Sequence, residues 1–461
     1  MLVMQFLTSY WRNRPFFHLD RQRFLAERKW EIWLGCLLYI VVLIIRSWEN
    51  FSHPGLYVED ATYYFKLNYG ELFRFENIFR NPNGYFNIFN NFAAQLIAQF
   101  DVRLQPLLYQ TVASTLSVTT ICLFARSGLV RNRYLLIITP LLLGLSGLNH
   151  LFYYVTITFQ MYLLVLTLIL VLLWDHQHSR AMAVVHFLLI PLLVFSGPYS
   201  VLAVPFCILF VFFLRGKSWL MGWTILVCLV FLGTTTGSTG STLELHNVTS
   251  HFFQKLWFDT IIEQVFMMGL HDHANSDKLL LFSLLIGISL FIIRSDRVHL
   301  RILLLLLVVI ILTPAPLLLS NKYLLYQAVF PCHVLTAQFC WLLFVLIILD
   351  RILLKLKQQA RPLFAAVCSM LLVSFIIVDN RAHTDKHSYE VLYNTKNFLE
   401  KIKEVEALEL KKQNKFAVIT AEGNHIFNPN IVVGSKSPDA IKHGGYYIPP
   451  VSKEHAETTP E

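Results

Sequence analysis

Charge is scarce in this sequence. Asp, Glu, Lys and Arg make up 15% of its 461 residues, against 55% apolar residues. That is too little surface charge to keep a soluble domain of this length dissolved. Nucleotide-binding loops are missing too: there is no Gly-x-x-x-x-Gly-Lys-Ser/Thr run and no dinucleotide fingerprint. Cysteine is sparse. Cys36, Cys122, Cys207, Cys228, Cys332, Cys340 and Cys368 all lie in apolar segments, where a thiol packs as a small hydrophobe. Neither a disulfide framework nor a metal cluster follows from that placement. The middles of the apolar segments are nearly free of ionisable side chains, which argues against a carrier that pumps a charged substrate.

What the chain does have is apolar runs long enough to cross a hydrocarbon core about 30 Å thick. They predict membrane-spanning helices near Trp30–Ile45, Leu107–Ala125, Tyr134–Gly147, Tyr154–Trp174, Met182–Ser196, Val201–Leu214, Trp219–Thr235, Leu279–Ile293, Ile302–Leu319, Leu324–Leu349 and Leu363–Val378. The expected fold is therefore an all-α polytopic membrane protein of about eleven transmembrane helices. Arg12, Arg14, Arg21, Arg23, Arg28 and Lys29 precede the first apolar run, too long and polar a start for a cleaved signal peptide. The net charge of +9 arises from 38 Lys plus Arg against 29 Asp plus Glu. The excess sits in short connections, as cytoplasmic loops require, so nucleic acid is not an expected partner. Placing the N-terminus in the cytoplasm puts Arg126/Arg131/Arg133, Arg180, Arg215/Lys217, Arg294/Arg297/Arg301 and Arg351/Lys355/Lys357/Arg361 inside. The short outer connections then hold His150, uncharged Ser196–Tyr199, and Lys322.

This topology divides the chain into a cytoplasmic segment 1–29, a transmembrane domain 30–378 and an outer C-terminal tail 379–461. Outer loops at 49–106 and 236–278 are long, which points to binding or chemistry on that face. In the first loop Pro54-Gly55 and Pro82-Asn83-Gly84 mark turns, and a helical stretch starts at Asp60. Phe86, Phe89, Ala93, Leu96 and Phe100 then recur at helical spacing, the stripe of a helix lying in the bilayer interface. The tail reads as a charged helix near Glu390–Gln413, a strand-like run Phe416–Thr420 and a polar end.

The adjacent carboxylates Glu59 and Asp60 are the first candidates for chemistry. They can accept a proton from a hydroxyl or hold a divalent cation such as Mg²⁺ or Mn²⁺. Equally, Asp60 can cap the helix that follows it while Glu59 is solvated. Lys66, Arg74, Arg80 and Lys322 are outer-face cations suited to a phosphate, and Lys322-Tyr323 also suits an interfacial anchor. His150 can face the same cavity as the acidic pair or serve as an interfacial polar residue. His186 and His333 fall inside predicted helices, where a buried polar group is either functional or bonded across helices. His271-Asp272-His273 lacks a third ligand for a metal. Asn50-Phe-Ser and Asn247-Val-Thr match glycosylation acceptors on the outer side.

With its cytoplasmic start, its long first outer loop carrying Tyr57-Val-Glu-Asp-Ala-Thr-Tyr, its interfacial helices and its many spans, the chain resembles the GT-C superfamily of membrane glycosyltransferases. It is closest in layout to the bacterial enzymes that modify O-antigen and other surface polysaccharide. The resemblance implies transfer of a sugar from a polyprenyl-phosphate lipid to a glycan or lipid acceptor, at the periplasmic face of the inner membrane. It also implies a catalytic carboxylate in the first outer loop, which falls on Asp60 or Glu59, with Lys322, Tyr323 and Arg80 near the donor phosphate. A lipid-linked phosphate is already a good leaving group, so such an enzyme needs a base and nearby cations rather than a nucleotide site. The rival readings are a lipid-oligosaccharide flippase, which would place charges at the membrane midplane, and a polysaccharide polymerase or ligase. The latter would carry an Arg-rich outer patch, and the 236–278 loop has no arginine.

Overall fold

The computed structural model describes residues 12–17, 21–52, 54, 56, 60, 64, 68, 72–80, 85–101, 104–145, 156–158, 160–174, 180–235, 250–266, 274–314, 331–356, 362, 416–419, 431–434 and 446–448. The chain forms two compact units, one of Met1–Ile40, Val118–Gly147 and Tyr162–Ala382, the other of Val41–Ser117, Leu148–Met161 and His383–Glu461. Helices dominate both. Among the described residues three helices are long and apolar enough to cross a bilayer: Gln105–Ala125, Asn275–Ile293 and His333–Lys355. This agrees with an all-α membrane protein at the level of class. The predicted number of spans rests partly on segments that lie outside the described residues, Leu363–Val378 among them.

Two predicted spans meet at a sharp bend. The Arg180–Val194 helix and the Pro198–Phe213 segment meet at 120° across a short break. The Ala203–Phe213 helix has 11 residues, about 17 Å at 1.5 Å per residue, and so falls short of a hydrocarbon core. Ser196 and Ser200 fix the bend, Ser196 Oγ donating to the Leu192 carbonyl and Ser200 Oγ to those of Val194 (2.7 Å) and Gly197 (2.8 Å). The Gln160–Leu173 helix is also shorter than predicted, because Thr156–Thr158 form a turn before it. Its side chains from Met161 to Leu173 are all buried, as befits a helix apolar all round. Asn275–Ile293, by contrast, exposes Leu280 (65%), Leu284 (52%) and Phe291 (61%), a surface suited to lipid. Gly35 lets the Lys29–Arg46 and Arg133–Leu145 helices approach closely, since a Cβ there would lie 2.5 Å from the Leu136 carbonyl oxygen.

The basic connections have a local purpose in the first unit. Orphan carbonyls at helix C-termini carry partial negative charge and attract cations. Arg14 donates to the carbonyls of Val211 and Leu214, and Arg301 to that of Phe213. Lys217 reaches the Leu172 and Trp174 carbonyls, and Lys355 the Ile292 carbonyl at 3.1 Å. Acids occupy the opposite ends. Asp350, fully buried, accepts from the backbone N–H groups of Arg131 (2.8 Å) and Asn132 (2.6 Å), where the Arg133–Leu145 helix starts. Asp296 caps the Arg297–Leu312 helix by accepting from His299 N at 3.2 Å. Partial burial opposes ionisation of Asp296, but the hydrogen bonds from His299 and the charge of Arg351 outweigh it and hold the carboxyl below its usual range.

Residues 250–266, predicted as part of an outer loop, form the Ser250–Gln254 helix and the Lys255–Val265 π-helix. Leu256, Ile261, Ile262 and Val265 are buried there, and Phe266 meets Trp341 edge-on at 4.3 Å. The tail adds a small sheet to the helical class. β1 (Phe416–Ile419), within the predicted strand-like run, pairs antiparallel with β2 (Ile431–Gly434), which pairs parallel with β3 (Tyr446–Ile448). The predicted tail helix Glu390–Gln413 lies outside the described residues.

Candidate functional site

The candidate site lies in the second unit, around the predicted first outer loop. Asp60, Tyr64 and Asn68 have helical backbone, as predicted for a stretch starting at Asp60. Asp60 is only 1% exposed. One carboxylate oxygen accepts from Ile157 N (3.1 Å), the other from Thr158 N (3.0 Å) and Thr158 Oγ1 (2.6 Å). Asp60 therefore binds backbone N–H groups far along the chain. It holds the turn that leads into the Gln160–Leu173 helix, 97 and 98 positions along the chain. A buried carboxylate is tolerated when donors satisfy it in this way. This ties the predicted first outer loop to the Thr156–Thr158 turn at one fixed point.

A chain of amides continues from there. Tyr64 Oη accepts from Asn87 Nδ2 (2.9 Å) and Asn90 Nδ2 (3.2 Å), and Asn68 Nδ2 donates to the Tyr64 carbonyl (2.6 Å). Gln95 donates to Asn68 Oδ1 and accepts from Arg74 N at 2.9 Å. Asn91 Nδ2 donates to the Ile78 (3.0 Å) and Arg80 (2.7 Å) carbonyls. All these side chains are buried, and buried amides are tolerated only when bonded in this way. Tyr109, 1% exposed, lies within electrostatic reach of both Asp60 and Tyr64.

The Ile88–Ile97 helix is consequently inverted in polarity. Its buried side carries Asn90, Asn91, Ala94, Gln95 and Ile97, while Phe92 (42%) and Leu96 (43%) face outward, continued by Phe100 (55%) and Leu104 (50%). The predicted stripe needs correction here. Ala93 is buried and Phe86 and Phe89 are half-buried, so the outward row is Phe92-Leu96-Phe100 rather than Phe89-Ala93-Leu96. Leu72, Phe73, Phe75 and Phe79 extend the exposed apolar face, with Phe73 against Phe92 at 6.3 Å and Phe75 against Phe79 at 5.4 Å. A patch of this kind marks an interaction surface, and it runs directly into the Gln105–Ala125 candidate span. Nitroxide labels at Phe75→Cys, Phe92→Cys or Leu96→Cys in lipid vesicles should be relaxed by oxygen and shielded from an aqueous nickel chelate. A label at Glu76→Cys should show the reverse. Aqueous accessibility at all four positions would count against an interfacial face.

Of the other predicted site residues, Arg74 and Arg80 flank the Phe75–Phe79 turn, Arg74 exposed and Arg80 half-buried. His186 packs edge-on against the Trp174 ring at 5.7 Å. Glu59, Lys66, His150, Lys322, Tyr323, Asn247 and His271–His273 lie outside the described residues. No group of three or more His, Cys, Asp or Glu side chains fit for a metal occurs among the described residues. The buried amides are what the sequence reading missed, although Asn87, Asn90, Asn91 and Gln95 recur at helical spacing. Comparison with known proteins finds no matching family profile, no matching curated protein and no matching solved structure.

Proposed function

We propose that the protein is a membrane glycosyltransferase that moves a sugar from a polyprenyl-phosphate carrier to a glycan or lipid acceptor. The reaction takes place at the outer face, the periplasmic face if the membrane is a bacterial inner membrane, with an acceptor of the O-antigen or surface-polysaccharide class. The observation that supports this reading is the buried Asp60, held by three hydrogen bonds inside an outer loop whose apolar side faces outward. A loop built only as a connector has no need of an internal carboxylate.

Both oxygens of Asp60 already accept from protein donors. In this reading Asp60 therefore positions the acidic pair, and its neighbour Glu59 takes the proton of the acceptor hydroxyl or holds a divalent cation. Arg74, Arg80, Lys66 and Lys322 supply positive charge for the departing phosphate. Glu59→Ala and Asp60→Ala proteins that reach the membrane in normal amount are expected to lose transfer to the surface glycan. Full transfer by both would sink the proposal. The flippase reading is the second one, and it predicts movement of the lipid-linked sugar across the bilayer without a new glycosidic bond.

A further inference from the structure

Among the described residues, the cysteines of the first unit fall into two kinds. Cys207 hydrogen-bonds the Thr224 side chain, Cys228 reaches the Ser200 carbonyl at 3.7 Å, and Cys340 is fully buried. Cys36 and Cys122 instead share a side-chain hydrogen bond with each other. Cys36 belongs to the Lys29–Arg46 helix and Cys122 to the Gln105–Ala125 candidate span. Ile32, Cys36 and Tyr39 form a buried stripe at helical spacing, so Cys36 points into the packed face of its helix. The neighbouring Gly35 seats that helix against the Leu136 carbonyl. Cys122 is half-buried, and the exposed Arg126 one turn on lies within electrostatic reach of both sulfurs.

Two thiols in contact can pack as small hydrophobes or act together as a dithiol. The surroundings of this pair favour the dithiol. Reactive cysteines are partly exposed and sit beside a cation, as Cys122 does with Arg126. The resolving thiol, Cys36, is already in hydrogen-bond contact and is held there by its helix. A disulfide bond of about 2 Å is reached from that contact by a small closure of the two side chains. The other cysteines lack such a partner: Cys207 and Cys228 are engaged with oxygen atoms.

We infer that Cys36 and Cys122 are a redox-modification site, which hydrogen peroxide converts to a reversible disulfide that clamps the two helices. The Cys122 thiolate attacks one peroxide oxygen. The O–O bond breaks, the sulfur is oxidised to a sulfenic acid, and the hydroxide released takes up the thiol's proton as water. Cys36 then attacks the Cys122 sulfur. The S–S bond forms, the S–O bond breaks, and the oxygen leaves as a second water with the Cys36 proton. Two thiols thus lose two electrons and two protons, and one peroxide becomes two waters. In sequence the predicted outer loop 49–106 lies between the two helices, so the disulfide closes it into a covalent ring. Such a ring restricts the unfolded chain and stabilises the fold. Sugar transfer has no part in this chemistry.

The test uses the reduced full-length chain in phosphatidylcholine nanodiscs. It is treated with hydrogen peroxide, denatured in N-ethylmaleimide and mapped by peptide mass spectrometry without reduction. The parent should lose two thiols per chain, yield a Cys36–Cys122 cross-linked peptide, and regain both thiols in dithiothreitol. Its thermal unfolding midpoint should rise on oxidation and return on reduction. In Cys36→Ser, Cys122 has no resolving thiol and should be trapped by dimedone as the sulfenic acid. Cys207→Ser should form the same disulfide as the parent. The cross-linked peptide is read in the parent, so no variant has to fold for the result to count. Both thiols left unmodified, Cys122 oxidised to sulfinic acid without a cross-link, or a cross-link to another cysteine would overturn the inference. A disulfide that leaves the midpoint unmoved would overturn the clamp.

Discussion

Asp350→Ala is expected to lower stability by about 3 kcal/mol or more, the scale for removing a buried charged partner. The carboxylate is fully buried and accepts the N–H groups of Arg131 and Asn132. It also lies 3.5 Å from the Arg351 guanidinium, itself within 3.7 Å of Asp296. Alanine would leave two backbone donors without their acceptor at the start of the Arg133–Leu145 helix and an under-compensated cation on the Pro331–Lys355 helix. Asp350→Asn keeps an acceptor oxygen for the backbone and removes the charge, so its loss should be smaller. Thermal unfolding in detergent separates the two variants. Equal stability of the alanine variant and the parent would mean that Asp350 anchors nothing.

Asp60→Ala carries the second large effect, and it has two parts. Losing three hydrogen bonds to a buried carboxylate should lower stability by about 3 kcal/mol. If Asp60 also positions Glu59, transfer should fall about a hundredfold or more, the scale of a misplaced general base. Thr158→Val separates the parts, because it removes the Thr158 hydroxyl bond and leaves both backbone bonds to Asp60 in place. That variant should lose about 1 kcal/mol of stability and retain most transfer. A purely structural Asp60 would instead give transfer losses that follow stability across Thr158→Val, Asp60→Asn and Asp60→Ala. Measuring kcat and the unfolding midpoint on the same preparations decides between the two.

Local features of this chain are legible in its sequence, and long-range ones are not. Gln105–Ala125 and Asn275–Ile293 stand out because an apolar run of sufficient length has few alternatives. The excess of Arg and Lys in the connections predicts an orientation, but not that Arg14, Lys217, Arg301 and Lys355 bond the C-termini of helices elsewhere in the chain. Asp60 reads as a cap from its residue type alone. Its partner lies 97 positions away, and nothing in the dipeptide Glu59-Asp60 encodes which turn it holds. The Ile88–Ile97 helix shows why an apolar stripe locates a face without saying what meets it. In a soluble protein Phe92 and Leu96 would point to the core, whereas here Asn90, Asn91 and Gln95 do. His333 bonds Tyr162 and Tyr199 from separate segments, and Cys36 meets Cys122, contacts that only the fold creates. The helical character of 250–266 was hidden by its polar residues within a long gap between apolar runs.

Sugar transfer by the reconstituted protein tests the central claim most directly. Purified parent protein in proteoliposomes would be given a polyprenyl-phosphate sugar and a glycan acceptor, with product followed by mass spectrometry. The account predicts a glycosylated acceptor together with released polyprenyl phosphate, and no product when a nucleotide sugar replaces the lipid-linked donor. Movement of the donor between leaflets with no glycosidic product, across a panel of lipid-linked sugars, would contradict it and favour the flippase.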